Sequence, residues 1–170
     1  PAKVAVGTAT HVLTSNGVGV APTFQAGSGF ANSAVHLRTT NGYGATNTKI
    51  RRWTTTMTNT GSDITYADSA TLGGTFTINT DGVYSISYGD EFSSVNWIGI
   101  SLNSSQLTTN IASLNAADVL LLDHVDTAAK PVTLSITLPL VATDVIRAHT
   151  QGTGTGGNAS YTRFSIARVE

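Results

Sequence analysis

From Ile50 to the last residues, apolar and polar side chains alternate with a period of two, and no other feature constrains the fold as much. The cleanest run sets Val132, Leu134, Ile136 and Leu138 against Thr133, Ser135 and Thr137. Successive side chains of a strand point to opposite faces, so such a run buries one face and shows the other to water. The same pattern puts Phe76 and Ile78 inward, then Tyr84, Ile86 and Tyr88, then Ile98, Ile100 and Leu102, and finally Phe164 and Ile166. Strands are expected over residues 51–57, 72–78, 83–88, 97–102, 106–110, 132–138, 145–150 and 161–169. Asp81-Gly82 reads as a hairpin turn. Residues 119–122 are apolar throughout, so periodicity does not assign them. Only the stretch from Ser113 to Leu122 has helix formers, enough for one short turn. About eight to ten short strands at even spacing predict an all-β fold, a sandwich or jelly roll.

Composition agrees. The polar residues are mainly Thr, Ser, Asn and Gly, which suit pleated strands and tight turns. Charged residues are 11% of the 170, with a net charge of −1, so neither nucleic acid nor an anionic membrane is an expected partner. With no Cys, a disulfide scaffold and a thiolate metal site are both excluded. No apolar run approaches a membrane span of ~20 residues. The chain opens on Pro1-Ala2-Lys3 without Met, and we read it as the C-terminal piece of a longer protein. Residues 1–48 carry Gly-rich punctuation, with short strand candidates at Val4-Ala5-Val6, Val12-Leu13-Thr14 and Thr23-Phe24-Gln25 and loops at Gly27-Ser28-Gly29 and Asn41-Gly42-Tyr43-Gly44. They are expected to form a connector or neck, with residues 49–170 as the head.

The chemistry-bearing residues do not assemble into a catalytic pattern. Asp90 and Glu91 are adjacent, so on an extended chain they point apart and cannot flank a glycosidic bond. Asp63, Asp68 and Asp81 read as turn residues. Asp123-His124-Val125-Asp126 has the residue types for a divalent cation but no ligand spacing, and reads as a solvated loop before Pro131. The Gly-rich residues 152–157 precede a strand and not a helix, so they do not form a phosphate cradle. His11, His36, His124 and His149 show no metal spacing. No catalytic residue, cofactor or metal is expected, and the chain is read as a non-enzyme. Binding is the better fit: sugar rings stack on exposed aromatics while amides and acids bond their hydroxyls. On that basis the candidate receptor-binding residues are Tyr43, Asp90, Glu91, Asn96, Trp97, Asn158 and Tyr161, with Tyr43 the aromatic most expected to be exposed and Trp97, at a strand start, equally readable as core. Arg51-Arg52-Trp53 reads as a surface strand start, with contact to a partner subunit as the alternative.

Two stretches resemble known families. Gly7-Thr8-Ala9-Thr10-His11-Val12-Leu13-Thr14-Ser15-Asn16-Gly17, with Ala21-Pro22-Thr23-Phe24-Gln25 after it, resembles a segment of bacteriophage tail-fibre proteins. Phe76-Thr77-Ile78 and Asp81-Gly82-Val83-Tyr84-Ser85-Ile86-Ser87-Tyr88 resemble a strand pair of the tumour necrosis factor and complement globular-head superfamily. Ile100-Ser101-Leu102-Asn103 resembles its next inner strand, residues 138–146 its apolar corner, and residues 164–169 its closing strand. Thr143 stands where that corner usually has Gly.

Together the resemblances imply a homotrimeric jelly roll. They place it in the virion, at the distal end of a tail fibre, as a head that binds a bacterial surface receptor, a polysaccharide or an outer-membrane component, without membrane insertion. A purely structural trimerisation cap, a bacterial surface or spore-coat domain of the same fold, and a depolymerase fragment are the competing readings.

Overall fold

The computed structural model describes residues 11–26, 33–38, 42–128, 130–152 and 160–170. The chain divides into two compact units, residues 1–30 and 31–170. The first contains a short hairpin of β1 (His11–Thr14) and β2 (Thr23–Ala26). Asn16 braces its turn, donating through Nδ2 to Ala21 O (2.8 Å) and Thr23 Oγ1 (3.0 Å). Val4-Ala5-Val6 and Gly27-Ser28-Gly29 lie outside the described residues.

The second unit is a sandwich of two five-stranded antiparallel sheets. Its strands are β3 (Ala34–Arg38), β4 (Thr55–Thr60), β5 (Ile64–Ala67), β6 (Thr75–Ile78), β7 (Gly82–Glu91), β8 (Asn96–Leu102), β9 (Val119–Val125), β10 (Pro131–Leu140), β11 (Val145–Thr150) and β12 (Arg163–Arg168). The first sheet runs β10-β7-β12-β3-β4 and the second β5-β6-β11-β8-β9. This is the expected all-β jelly roll.

Alternation builds the core. In the first sheet, Leu134, Tyr88, Phe164 and Leu37 stand in one row across four strands, and Ile136, Ile86, Ile166 and Val35 in the next. The second sheet answers with Phe76, Ile78, Ile98, Ile100, Ile146 and Ala148, all fully buried. Phe76 stacks on Phe164 at 4.3 Å between centroids, and Trp53 meets Tyr88 edge-on at 5.6 Å. Burying side chains of this size stabilises the fold by about 1.5–3 kcal/mol each.

Four expectations change. The boundary between units falls at residue 30 and not 48, because β3 is an interior strand of the first sheet, paired with both β12 and β4. Asp81-Gly82 does not close a hairpin: β6 and β7 lie in different sheets, and the turn carries the chain across the sandwich. There the Asp81 carboxylate accepts from Ala142 N (2.7 Å), so this crossover is tied to the return crossover between β10 and β11. Residues 106–110 form turns and not a strand, followed by 3-10 turns at Ile111–Ser113 and Ala116–Asp118. Asp123, His124 and Val125 lie on β9 and not in a loop.

Candidate functional site

The residues singled out by sequence fall in three places. Asp90 is fully buried, so it cannot touch a receptor. The strand parity of β7 puts it on the same inner face as Tyr84, Ile86 and Tyr88. Arg51, also fully buried, donates to it through Nε (2.7 Å) and Nη2 (2.8 Å). Tyr88 Oη, Thr162 Oγ1 and Glu91 N complete the carboxylate at 2.8, 3.0 and 2.9 Å. A buried charge persists only when paired and fully hydrogen-bonded, and this one is both.

Tyr43 joins the same network and not a solvent loop. It is half-buried, bridges to Arg51, and its ring centroid lies 5.2 Å from the Arg51 Cζ. Burial pushes its phenol up to about 12, against the opposing pull of the Arg51 charge. Burial likewise raises Tyr88, with the Asp90 charge adding to it. Arg51 is therefore no surface strand start: it clasps residues 42–53 to the sandwich.

The second place is the far end of β8. Asn96 is buried; its Oδ1 accepts from Gln151 N (3.2 Å). It holds the strand end and does not face solvent. Trp97, the next residue, points to the outer face of the second sheet. It is half-buried, and its ring lies against His124 of β9 at 4.4 Å with a 46° tilt. Gln151 N donates to Trp97 O (2.8 Å), which sets Gln151 beside it. A row Gln151–Trp97–His124 thus runs from the residue after β11 across β8 to β9. His124 and Gln151 are absent from the sequence candidates, because nothing local to residue 97 announces which strands will flank it.

The third place is the turn before β12. Tyr161 is 44% exposed, while Asn158 lies outside the described residues. Glu91 is half-buried at the end of β7. The candidates therefore do not form one site: Tyr161 is exposed, Trp97 and Tyr43 are half-buried, and Asp90 and Asn96 are buried.

The outer face of the first sheet has a distinct chemistry. Reading across β10, β7, β12, β3 and β4, one row is Ser135, Ser87, Ser165, His36 and Thr58. The next is Thr137, Ser85, Ala167, Ala34 and Thr60. Neither row contains a carboxylate, a lysine or an arginine, and no side chain in them is larger than His36. The outer face of the second sheet is different. Ile111 packs so close over Gly99 that a Cβ there would lie 2.5 Å from its Cγ1. The 3-10 turns therefore cover the middle of that face, and among the described residues they do not reach its Trp97 end. Among the described residues no group of three His, Asp or Glu side chains converges on a cation position.

No family model and no curated protein matches the chain. Solved structures do. A crystal structure of murine APRIL at pH 8.0 superposes with a TM-score of 0.61 at 12% identity, covering 81% of this chain and 99% of that one. Two more murine APRIL structures, at pH 8.5 and pH 5.0, give 0.59 and 0.57 at 11% identity, with the same coverage of each chain. At such identity the likeness shows the fold alone, and that fold is the tumour-necrosis-factor-like jelly roll.

Proposed function

We propose that the chain is the receptor-binding head of a bacteriophage tail fibre, a homotrimer that attaches the virion to a bacterial surface structure without catalysing a reaction. The observation that carries the homotrimer in this reading is the outer face of the first sheet. Its two charge-free rows of Ser, Ala and Thr, with one His, let a second backbone approach closely over several strands. Meeting of these rows near a three-fold axis would desolvate hydroxyls that can bond to one another, and the exposed Arg163 and Arg38, paired in the row beyond, bound the charge-free area on one side. The tail-fibre-like segment at residues 7–25 supports a fibre-borne position for the head. One candidate carboxylate supports binding over hydrolysis: Asp90 has both oxygens engaged inside the protein.

Light scattering is the test. The expected mass is three times that of the 17.6 kDa chain. Ser165→Arg, in the middle of the central row, is expected to yield a folded monomer, and a monomeric wild type would overturn the trimer. For the receptor, the fluorescently labelled chain is expected to adsorb saturably to cells of some bacterial strains and not others. Trimers that adsorb to none would leave a structural cap. Release of oligosaccharide from isolated surface polysaccharide would overturn the non-catalytic reading.

A further inference from the structure

The row Gln151–Trp97–His124 has no use in the core or in the oligomer face, and its chemistry points to a ligand. Half-buried Trp97 and exposed His124 set two rings against each other on the outer face of the second sheet. The indole N–H and the Gln151 side-chain amide make no hydrogen bond among the described residues. The buried Asn96, bonded to Gln151 N and directed at Gly152 O, fixes the backbone on which both stand. Leu122, 41% exposed, lies two residues from His124 on the same face and extends the apolar surface. No arginine, lysine or carboxylate belongs to this row. Among the described residues there is no enclosed cavity here, so the rings would seat a sugar carried on a polymer and not engulf a small molecule.

Resting on the receptor-binding reading above, we infer that Trp97 and His124 form a stacking platform for a neutral sugar ring of a surface glycan, with the Gln151 amide as its hydrogen-bonding side. A pyranose offers an apolar C–H face to the aromatic rings and hydroxyls at its rim to the amide and the indole N–H.

The molecule supplies its own control, because it has two tryptophans and the other, Trp53, is 1% exposed in the core. The full chain, labelled with 15N, is titrated with neutral oligosaccharides of glucose, galactose and N-acetylglucosamine while both indole N–H signals are followed. The Trp97 signal is expected to move saturably with at least one of them and the Trp53 signal to stay. Trp97→Ala is expected to weaken that binding about tenfold or more, and Gln151→Ala several-fold. His124→Ala and Trp97→Phe serve should the alanine variant at 97 fail to fold: the first should weaken binding and the second largely keep it. Immobility of the Trp97 signal in every titration, or unchanged affinity on removal of both rings, overturns the platform. Cell adsorption separates the two readings. Wild-type adsorption that Trp97→Ala retains in full overturns the platform and leaves the receptor reading standing. Sugar binding at Trp97 without adsorption to any strain does the reverse.

Discussion

Arg51 and Arg52 are neighbours in sequence, and each grips an aspartate with the same two nitrogens. Arg51 holds Asp90 through Nε and Nη2 at 2.7 and 2.8 Å, with both side chains fully buried. Arg52 holds Asp68 through Nε and Nη2 at 3.2 and 2.5 Å, with about a fifth of each side chain in water (23% and 21%). The geometry is nearly the same and the energetics are not. In water an ion pair replaces good hydration with a modest attraction. In the interior each charge has lost its hydration, so each depends on the other. Asp90 and Glu91 divide in the same way, one inward and one toward solvent. The chain therefore sets charges to different uses by which side of the backbone faces the core, not by residue type.

The largest effect should come from removing one half of the buried pair. Asp90→Ala leaves the Arg51 guanidinium uncompensated in the core, and should cost about 3–5 kcal/mol in urea unfolding. The double variant Arg51→Met with Asp90→Leu should recover most of that loss, because it removes both charges and fills the space. A double variant as unstable as the single would show that the hydrogen bonds to Tyr88, Thr162 and Glu91 matter more than the pairing.

The buried His149 extends the comparison to a group that can shed its charge. Its Nε2–H donates to Thr109 O (2.8 Å), so Nδ1 is the acceptor facing Ser101 Oγ (3.2 Å). Burial lowers its pKa below the ordinary 6.5; the bond to Thr109 opposes this, and the charges of Arg147 and Lys49 add to it. The folded state then binds fewer protons than the unfolded one. Stability should be full above pH 6.5 and fall as the pH drops below that value toward the depressed native pKa. His149→Ala should cost roughly 1–3 kcal/mol at neutral pH by leaving Thr109 O and Ser101 without partners. Melting curves of that variant should lose part of the acid sensitivity. Sensitivity unchanged from wild type would assign it to other groups.

How legible this was follows from the same residues. Tyr84, Ile86 and Tyr88 alternate against Ser85 and Ser87, so the inner face of β7 can be read directly. The parity reaches Asp90, yet residue type argues that a carboxylate belongs outside, and only Arg51, 39 residues away, reverses that. β3 escapes notice because its outward Ala34 and His36 leave just Val35 and Leu37 as a pattern, amid Gly and Asn. Trp97 can be picked as a binding aromatic, but His124 and Gln151 cannot be joined to it before strand pairing is known. Asp81-Gly82 reads as a hairpin because local turn chemistry is the same whether the next strand pairs or crosses to the other sheet.

A smaller effect is expected at the crossover from β10 to β11. Thr143 adopts a φ of 81°, a region that a β-branched residue rarely enters. The turn holds it there: Thr143 N donates to Ile78 O (2.8 Å), and Val141 N to Asp144 Oδ2 (2.9 Å). Thr143→Gly should raise stability by roughly 1 kcal/mol, since the strain removed exceeds the added freedom of the unfolded chain. A drop on substitution would mean that the threonine side chain contributes more than its backbone costs.

The smallest effect belongs to the exposed partner of the opening comparison. Arg52→Ala and Asp68→Ala should each change stability by about 0–1 kcal/mol, and high salt should reduce whatever coupling a double-mutant cycle finds. The two ion pairs differ little in contact geometry, so geometry alone would predict similar losses. Equal losses at Arg51 and Arg52 would mean that the Arg51–Asp90 pair is hydrated in solution. A loss at Arg52 within that small range, beside the large one at Arg51, would tie the difference to desolvation. Salt dependence confined to the Arg52 pair would make the same point, because a fully buried pair lies beyond the reach of screening ions.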